Sequence, residues 1–371
     1  MSKTVVLVMP LGNARGGGEQ MLLHLVREGR GLGIRWHVVF LEEGEMPEMI
    51  RALGVGVDVF EAGRMREVHK LLLTAQKIAR VARREKADLI LGWMGTAHLY
   101  GGPAARLAGI PAAWYQLDVP RNPGGIDKVA ARIPARFILT LCKDGFEAQK
   151  KLAGSATVHL VYPGAELNRF DTTALPTVAE ARTQLGLPLD RPVIGIVGRL
   201  QHWKGMHTLI GAMPKILERH PNALAVIVGG QHAFEPEYEG QLKHQIQQLG
   251  LENSVQMAGF QREVPLWMQA FDIFVHASQR EPFGIVIVEA MALGKPVIAA
   301  NEGGPTEIIT PGVHGLLTPF DDAPALASAA VSLLDDPVMA RELGEAAQRR
   351  AQDFSTQRYA QNLVKTVLGI I

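Results

Sequence analysis

Short, continuously apolar runs recur along this chain, each followed by a turn and then a longer stretch with helical spacing. Val5–Val8, His37–Phe40, Asp88–Leu91, Ala112–Tyr115 and Phe137–Leu141 are expected strands. Gly16–Gly18 opens an expected helix running to about Gly29, and His69–Arg84 is another. Strands apolar on both faces belong inside a parallel sheet covered by helices. The pattern weakens between about Pro163 and Asp190, then restarts at Pro192–Val197, with a helix near Met206–Arg219. Strands Leu224–Val228, Val255–Gln256, Ile273–Val275, Val297–Ala300 and Leu316–Leu317 follow. The expected fold is α/β, with two Rossmann-like, doubly wound domains, which suits 371 residues at about 150 per domain. Their expected limits are 1–170 and 191–354, with a Pro- and Thr-containing linker at 171–190. A final helix, about Thr356–Leu368 within 355–371, belongs by sequence to neither sheet. Two such domains facing each other bind ligands in a cleft at the C-terminal edges of their strands. The turns after strands are therefore where chemistry is sought.

Composition narrows the function classes. With 47% hydrophobic and 20% charged residues, the chain can bury a large core and does not have the composition of disorder. No apolar run reaches the roughly 18 residues needed to span a bilayer. The opening MSKTVVLVMP has the form of a short strand rather than a signal peptide. One cysteine, Cys142, excludes an intrachain disulfide and a multi-Cys metal site. A cytoplasmic protein is expected. Residues 1–170 carry 23 Lys and Arg against 16 Asp and Glu, and residues 171–371 carry 15 against 21. That asymmetry points to an anionic partner for the first half, or to nothing more than scattered solvated charge. Arg80, Arg83, Arg84 and Lys86, the densest basic run, complement a helix C-terminus without needing a partner. No aromatic interleaving or zinc-ligand spacing argues for nucleic acid.

Four motifs follow expected strands. In Glu281-Pro-Phe-Gly-Ile-Val-Ile-Val-Glu289, Glu281 lies in a loop and the run from Gly284 opens a helix whose first amides are free to bind an anion. Glu281 as a cap and Glu289 as an incidental charge is the plainer alternative. A Glu among Val286, Val288, Ala290 and Met291 is nevertheless poorly explained by packing, since an unpaired buried carboxylate costs several kcal/mol. In Gly198-Arg-Leu-Gln-His-Trp-Lys-Gly205, Arg199 and Lys204 suit a diphosphate clamp, or form an exposed turn. The spacing is not that of a Walker A loop. Gly16, Gly17 and Gly18, before Glu19, let the backbone approach a ligand, or form a flexible turn. They lack the Gly-x-Gly-x-x-Gly spacing of a dinucleotide fold, which argues against hydride transfer. Gly303-Gly-Pro-Thr-Glu307 is another glycine turn ending in a carboxylate.

In this order the motifs resemble the retaining nucleotide-sugar glycosyltransferases of family 4, the group 1 type, which have a GT-B fold. The resemblance covers most of the chain and is densest from Val193 to Leu317, through GRLQHWKG, GFQREVPLWMQAFDIFVHAS, EPFGIVIVEAMALGKPVIA, GGPTEII and HGLLTP. GGGE and LVYPGAELNRF carry it in the first half. It implies that Arg199 and Lys204 hold the donor pyrophosphate and steady the departing nucleoside diphosphate. It implies that Glu289 binds the ribose hydroxyls, that Glu281 sits near the transferred sugar, and that Phe283, Gly284 and Ile285 offer backbone along sugar and phosphates. Glu281, Arg199 and Lys204 are the implied catalytic set. Gly16, Gly17 and Gly18 match the loop at the donor phosphate and the acceptor entrance, and the final helix crosses back to brace the first domain.

One departure concerns a His that the family often carries at the end of a first-domain strand. Here Trp114-Tyr-Gln-Leu-Asp118 places Leu117 at that position, so His98, Gln116 or Asp118 are the candidate sugar contacts. A solvated or capping role is the plainer alternative for His98. Cys142 stands where a small hydroxyl residue is common, and a buried apolar role is favoured for it.

The expected activity moves a sugar from a nucleoside diphosphate, UDP or GDP, to an acceptor hydroxyl in polysaccharide or glycoconjugate biosynthesis. Fixed cations and helix amides stabilise the leaving diphosphate more than the ground state, so no cofactor and no metal is expected. No Asp-x-Asp motif is present to hold a divalent cation. Domain closure would exclude water. Acceptors considered are a saccharide, a lipid-linked saccharide or a small metabolite, with peripheral association at the inner face of the membrane. A nucleotide-sugar epimerase and a non-catalytic two-domain ligand-binding protein are the alternatives.

Overall fold

The computed structural model describes every residue except Met1, Arg15, Arg64, Met65, Arg66, Arg121 and Asn122, and the backbone alone of Val68. The chain divides into two compact units. The first comprises Met1–Gly164 with Thr356–Ile371, and the second comprises Ala165–Ser355.

The first unit carries strands β1 (Lys3–Met9), β2 (Ile34–Phe40), β3 (Gly56–Val59), β4 (Leu89–Trp93), β5 (Ala112–Gln116), β6 (Phe137–Thr140) and β7 (Thr157–Leu160). They pair in parallel in the order β3-β2-β1-β4-β5-β6-β7. The apolar runs of the sequence are the middle strands. Residues Val5 to Met9 of β1 are fully buried, and Ile78, Ala79 and Ala82 of the helix Val68–Arg84 join Val6, Val8 and Ile90 in one core. Burying each of the Val and Ile side chains contributes about 1.5–3 kcal/mol.

The second unit repeats the plan with β8 (Val193–Val197), β9 (Leu224–Val228), β10 (Val255–Gly259), β11 (Ile273–His276), β12 (Val297–Ala300) and β13 (Leu316–Thr318). The parallel order is β10-β9-β8-β11-β12-β13. Ile194, Ile196, Val275 and Ile298 pack there with Leu209 and Met213 of the helix Met206–Arg219 and with Leu326 of the helix Ala323–Asp335.

In each sheet the winding reverses beside its first strand, between β1 and β4 and between β8 and β11. In open α/β sheets such a reversal, at the C-terminal ends of the strands, is where ligands bind.

The stretch expected as a linker, 171–190, contains the helix Val178–Leu185, which belongs to the second unit. Thr177 and Glu180 form a capping box at its start, and Gly186 ends it in a left-handed conformation. Its Arg182, 5% exposed, donates through Nε to Ala270 O at 2.9 Å and pairs with Asp272 at 2.6 Å. The division itself falls at Gly164/Ala165. The final helix, Thr356–Leu368, turns Tyr359, Ala360, Leu363, Val364 and Val367 inward and packs on the helix Gly17–Glu28 of the first unit. Its spacing of apolar residues at three and four is what buries one face.

Candidate functional site

The loops at the β8/β11 switch of the second unit are stitched together by their backbones. Gln279 N–H donates to Trp203 O at 2.7 Å, and Gly304 N–H donates to Glu281 O at 2.8 Å. Gly205, with φ of +73°, ends the short turn His202–Lys204. A Cβ on Gly205 would lie 2.1 Å from Ala277 O, so only glycine lets the two loops touch here. The result fixes the loop after β8, the loop after β11 and the glycine turn after β12 as one surface.

Lys204 and Glu281 meet on that surface as a direct ion pair, with 14% and 15% of their side chains exposed. The Lys204 ammonium also lies 4.0 Å from the centre of the Trp203 ring. Burial alone would raise the pKa of Glu281. The imidazole of His276 and the charge of Lys204 outweigh that and hold it down at about 2. Arg199, in contrast, is exposed and makes no ion pair among the described residues, its Nη1 lying 3.4 Å from His232 Nε2. One cation of the expected pair is therefore pre-engaged and the other is open.

The helix Ile285–Ala292 starts at Gly284, which adopts a left-handed conformation. Its first amides have no partner within the helix. Phe283 is buried, its ring edge-on to Phe354 at 5.5 Å, which pins the backbone leading into that helix. Glu289 lies one turn further on and is half-buried. No hydrogen bond or ion pair reaches its carboxylate among the described residues. Burial among the apolar side chains of its helix pushes its pKa up to about 7, opposed by the charge of Arg169 and assisted by Glu166. A carboxylate so placed has acceptor capacity left for hydroxyl groups.

Arg169, from the turn Leu167–Phe170, and His276, at the end of β11, are residues that motif reading left without a role. Each lies in a segment that carried the resemblance, LVYPGAELNRF and FVHAS. No spacing rule marks either one, because their proximity to Glu289 and Glu281 arises from tertiary packing.

The first unit sorts its candidates differently. Trp93 Nε1 donates to Gly18 O at 2.8 Å, and Leu117 Cδ1 stands 2.8 Å from where a Cβ on Gly18 would sit. The glycine loop after β1 thus packs against the end of β5, with Gly17 open to its surroundings. Gly16 caps the helix Gly17–Glu28 by its backbone. Gln116 is 4% exposed and donates to Asp127 Oδ1 at 3.3 Å, so its amide is engaged within the unit. Asp118 is exposed. His98, the other candidate sugar contact, lies in the core of the first unit. It is 0% exposed, stacked on Trp114 at 5.7 Å, and burial lowers its pKa to about 4. Cys142 takes the hydroxyl's part, its Sγ accepting from Gly145 N–H at 3.2 Å as an N-cap.

Among the described residues, no group of three or more His, Cys, Asp or Glu is arranged to hold a metal ion, and no helix is long and apolar enough to cross a membrane.

Two parallel sheets, each reversing its winding beside its first strand, make this an α/β protein of the GT-B type. Residues 177–350 match the family described as Glycosyl transferases group 1. The match lies wholly within the second unit, Ala165–Ser355.

It is 33% identical over 227 residues to the D-inositol 3-phosphate glycosyltransferase of Corynebacterium urealyticum, covering 60% of this chain and 52% of that one. It is 30% identical over 204 residues to the lipopolysaccharide core biosynthesis mannosyltransferase LpsB of Rhizobium meliloti, covering 54% and 58%. The chain spans little more than half the length of these curated relatives. HepE of Anabaena, solved with UDP, is 29% identical with a TM-score of 0.86, covering 99% of this chain and all of that one. The same protein solved with UDP-glucose gives 28% and 0.83, over 99% of each.

Proposed function

We propose that this protein is a retaining glycosyltransferase that moves a sugar from a nucleoside diphosphate to an acceptor hydroxyl in polysaccharide or glycoconjugate biosynthesis. The observation that carries the reading is the pairing of Lys204 with Glu281 at the β8/β11 switch, beside a helix start and the unpartnered Glu289. Breaking the bond between sugar and diphosphate builds charge on the leaving oxygen. Arg199, Lys204 and the amides at Ile285 and Val286 are assigned to that charge, where fixed dipoles need no reorganisation. Glu289 is assigned to the ribose hydroxyls and Glu281 to the transferred sugar, with the backbone of Phe283, Gly284 and Ile285 along it. The leaving phosphate takes the acceptor proton, so attack occurs from the face it vacates and the configuration is retained. Gly16, Gly17 and Gly18 of the first unit are assigned to the acceptor side, with Asp118 as the exposed polar group at the end of β5.

UDP is the first donor nucleotide to test, because HepE, similar over nearly the whole chain, was solved with UDP and with UDP-glucose. Calorimetry with UDP, GDP and ADP, followed by nucleotide release from the corresponding sugars with saccharide acceptors, tests the reading. Binding of UDP and acceptor-dependent release of UDP support it. A protein that binds none of the three nucleotides overturns it, and tight binding without turnover favours a ligand-binding protein.

A further inference from the structure

Glu281 has a second neighbour to which the assignments above give no part. His276, the last residue of β11, is 3% exposed, and its Nε2 stands 3.6 Å from Glu281 Oε2. The same nitrogen lies 3.2 Å from Ser278 Oγ, while Nδ1 is buried without a hydrogen-bond partner among the described residues. A doubly protonated ring would leave a buried N–H unsatisfied at Nδ1, whereas a neutral ring protonated at Nε2 leaves only an unused lone pair there. Burial favours the neutral ring, and the charged groups acting on it are Glu281 and Lys204. The geometry is that of a neutral donor facing the carboxylate.

Lys204 cannot give its full charge to Glu281 and to a diphosphate at once. A bound diphosphate draws the ammonium toward its own oxygens, and Glu281 is then left in a largely buried position with a weakened counter-ion, which is unfavourable unless another group takes over. We propose that His276 is a positioning residue for Glu281: as Lys204 turns to the donor phosphates, the 3.6 Å separation closes to a hydrogen bond that keeps the carboxylate ionised and aimed at the sugar. This inference rests on the donor-binding reading of the second unit and adds an exchange of partners to it. Ser278 shares the same nitrogen and is the acceptor released when the exchange occurs.

The test uses the whole chain with His276→Leu, which removes the donor, and His276→Gln, which restores an N–H near the Nε2 position. With a nucleotide sugar that the parent protein turns over, His276→Leu is expected to lower kcat tenfold or more. Donor KM and the Kd for UDP stay within threefold, because binding is left to Arg199, Lys204 and Glu289. His276→Gln is expected to recover most of kcat. Parent-like kcat in His276→Leu overturns the proposal, as does a His276→Gln protein equally impaired. Should His276→Leu fail to fold, nitrogen-15 correlation spectra of the parent histidines decide. The expected result is the Nε2–H tautomer, with its proton moving downfield as UDP saturates the protein; an Nδ1–H tautomer, or no response to UDP, overturns it. A parent protein that binds UDP and turns over its sugar while the variants behave normally sinks only this inference. A parent that takes no nucleotide sinks the donor-binding reading as well.

Discussion

Lys204 and Glu281 lie 77 residues apart in sequence and pair directly, with about one-seventh of each side chain exposed. Removing one partner of a buried pair strands the other charge, at about 3–5 kcal/mol. Lys204→Met is therefore expected to lower unfolding free energy by about 3 kcal/mol, and Lys204→Met with Glu281→Leu to regain most of it. Nucleotide-sugar turnover falls a hundredfold or more in both. Urea unfolding and product formation measure the two effects separately. Arg199→Ala, at an exposed position, changes stability by no more than about 0.5 kcal/mol while weakening donor binding. Glu281 titrates at about 2 when folded against an ordinary 4.5. Its contribution is complete above pH 4.5 and is lost as pH falls toward 2.

Glu289 has the opposite sign. Burial lifts its pKa to about 7 from 4.5, so the folded protein holds a proton that the unfolded chain releases. Stability then decreases as pH rises from 4.5 through 7, and Glu289→Gln is expected to gain about 1–2 kcal/mol at pH 8, after allowance for its partial exposure. Donor affinity runs the other way, because the ionised carboxylate is the better acceptor for ribose hydroxyls. UDP binding by calorimetry is expected to tighten several-fold between pH 6 and pH 8 in the parent and to stay flat in Glu289→Gln. A pH-independent parent would remove Glu289 from the ribose site.

His98 separates a structural from a ligand-binding role in the first unit. Its ring is stacked on Trp114, and Nε2 lies 3.3 Å from Ile133 O. His98→Ala leaves a cavity and is expected to cost about 2–4 kcal/mol. Donor KM and kcat remain within twofold at a temperature where the variant is folded. The neutral ring, at about 4 instead of 6.5, contributes stability above pH 6.5 that is lost as pH falls toward 4. A rise in KM without loss of stability would return His98 to the site.

The middle strands were legible because burial on both faces writes a continuous apolar run, and Leu224–Val228 and Val297–Ala300 fall at the bounds expected. The edge strands β3 and β7 were not. GVDV and TVHL are four residues long and only partly buried, so their runs mix apolar with polar residues. The helix Gly95–Ala108 was hidden by Gly101, Gly102 and Pro103, residues of poor helix propensity. Tertiary contact decides there: a Cβ on Gly102 would sit 2.2 Å from Ile133 Cγ2. At the candidate site, local motifs marked Lys204, Glu281 and Glu289, since each follows a strand or opens a helix. His276 and Arg169 became visible only when separate segments came together.

Gly205 tests whether the stitched loops are what hold the site. Its φ of +73° disfavours any residue with a Cβ, by roughly 1–2 kcal/mol. Here the added atom would also meet the Ala277 backbone, which cannot swing aside as a flexible side chain can. Gly205→Ala must therefore push the turn His202–Lys204 away from the loop after β11, and the Lys204–Glu281 pair lies on the two segments being separated. The expected result is a loss of about 3 kcal/mol in urea unfolding, combining strain with a weakened pair, and a tenfold or greater loss of UDP affinity. Gly240→Ala is the control, since its Cβ would meet nothing and its backbone is helical. It is expected to be neutral to slightly stabilising and to bind UDP as the parent does. Equal behaviour of the two alanine variants would show that the loop contact at Gly205 does not position Lys204.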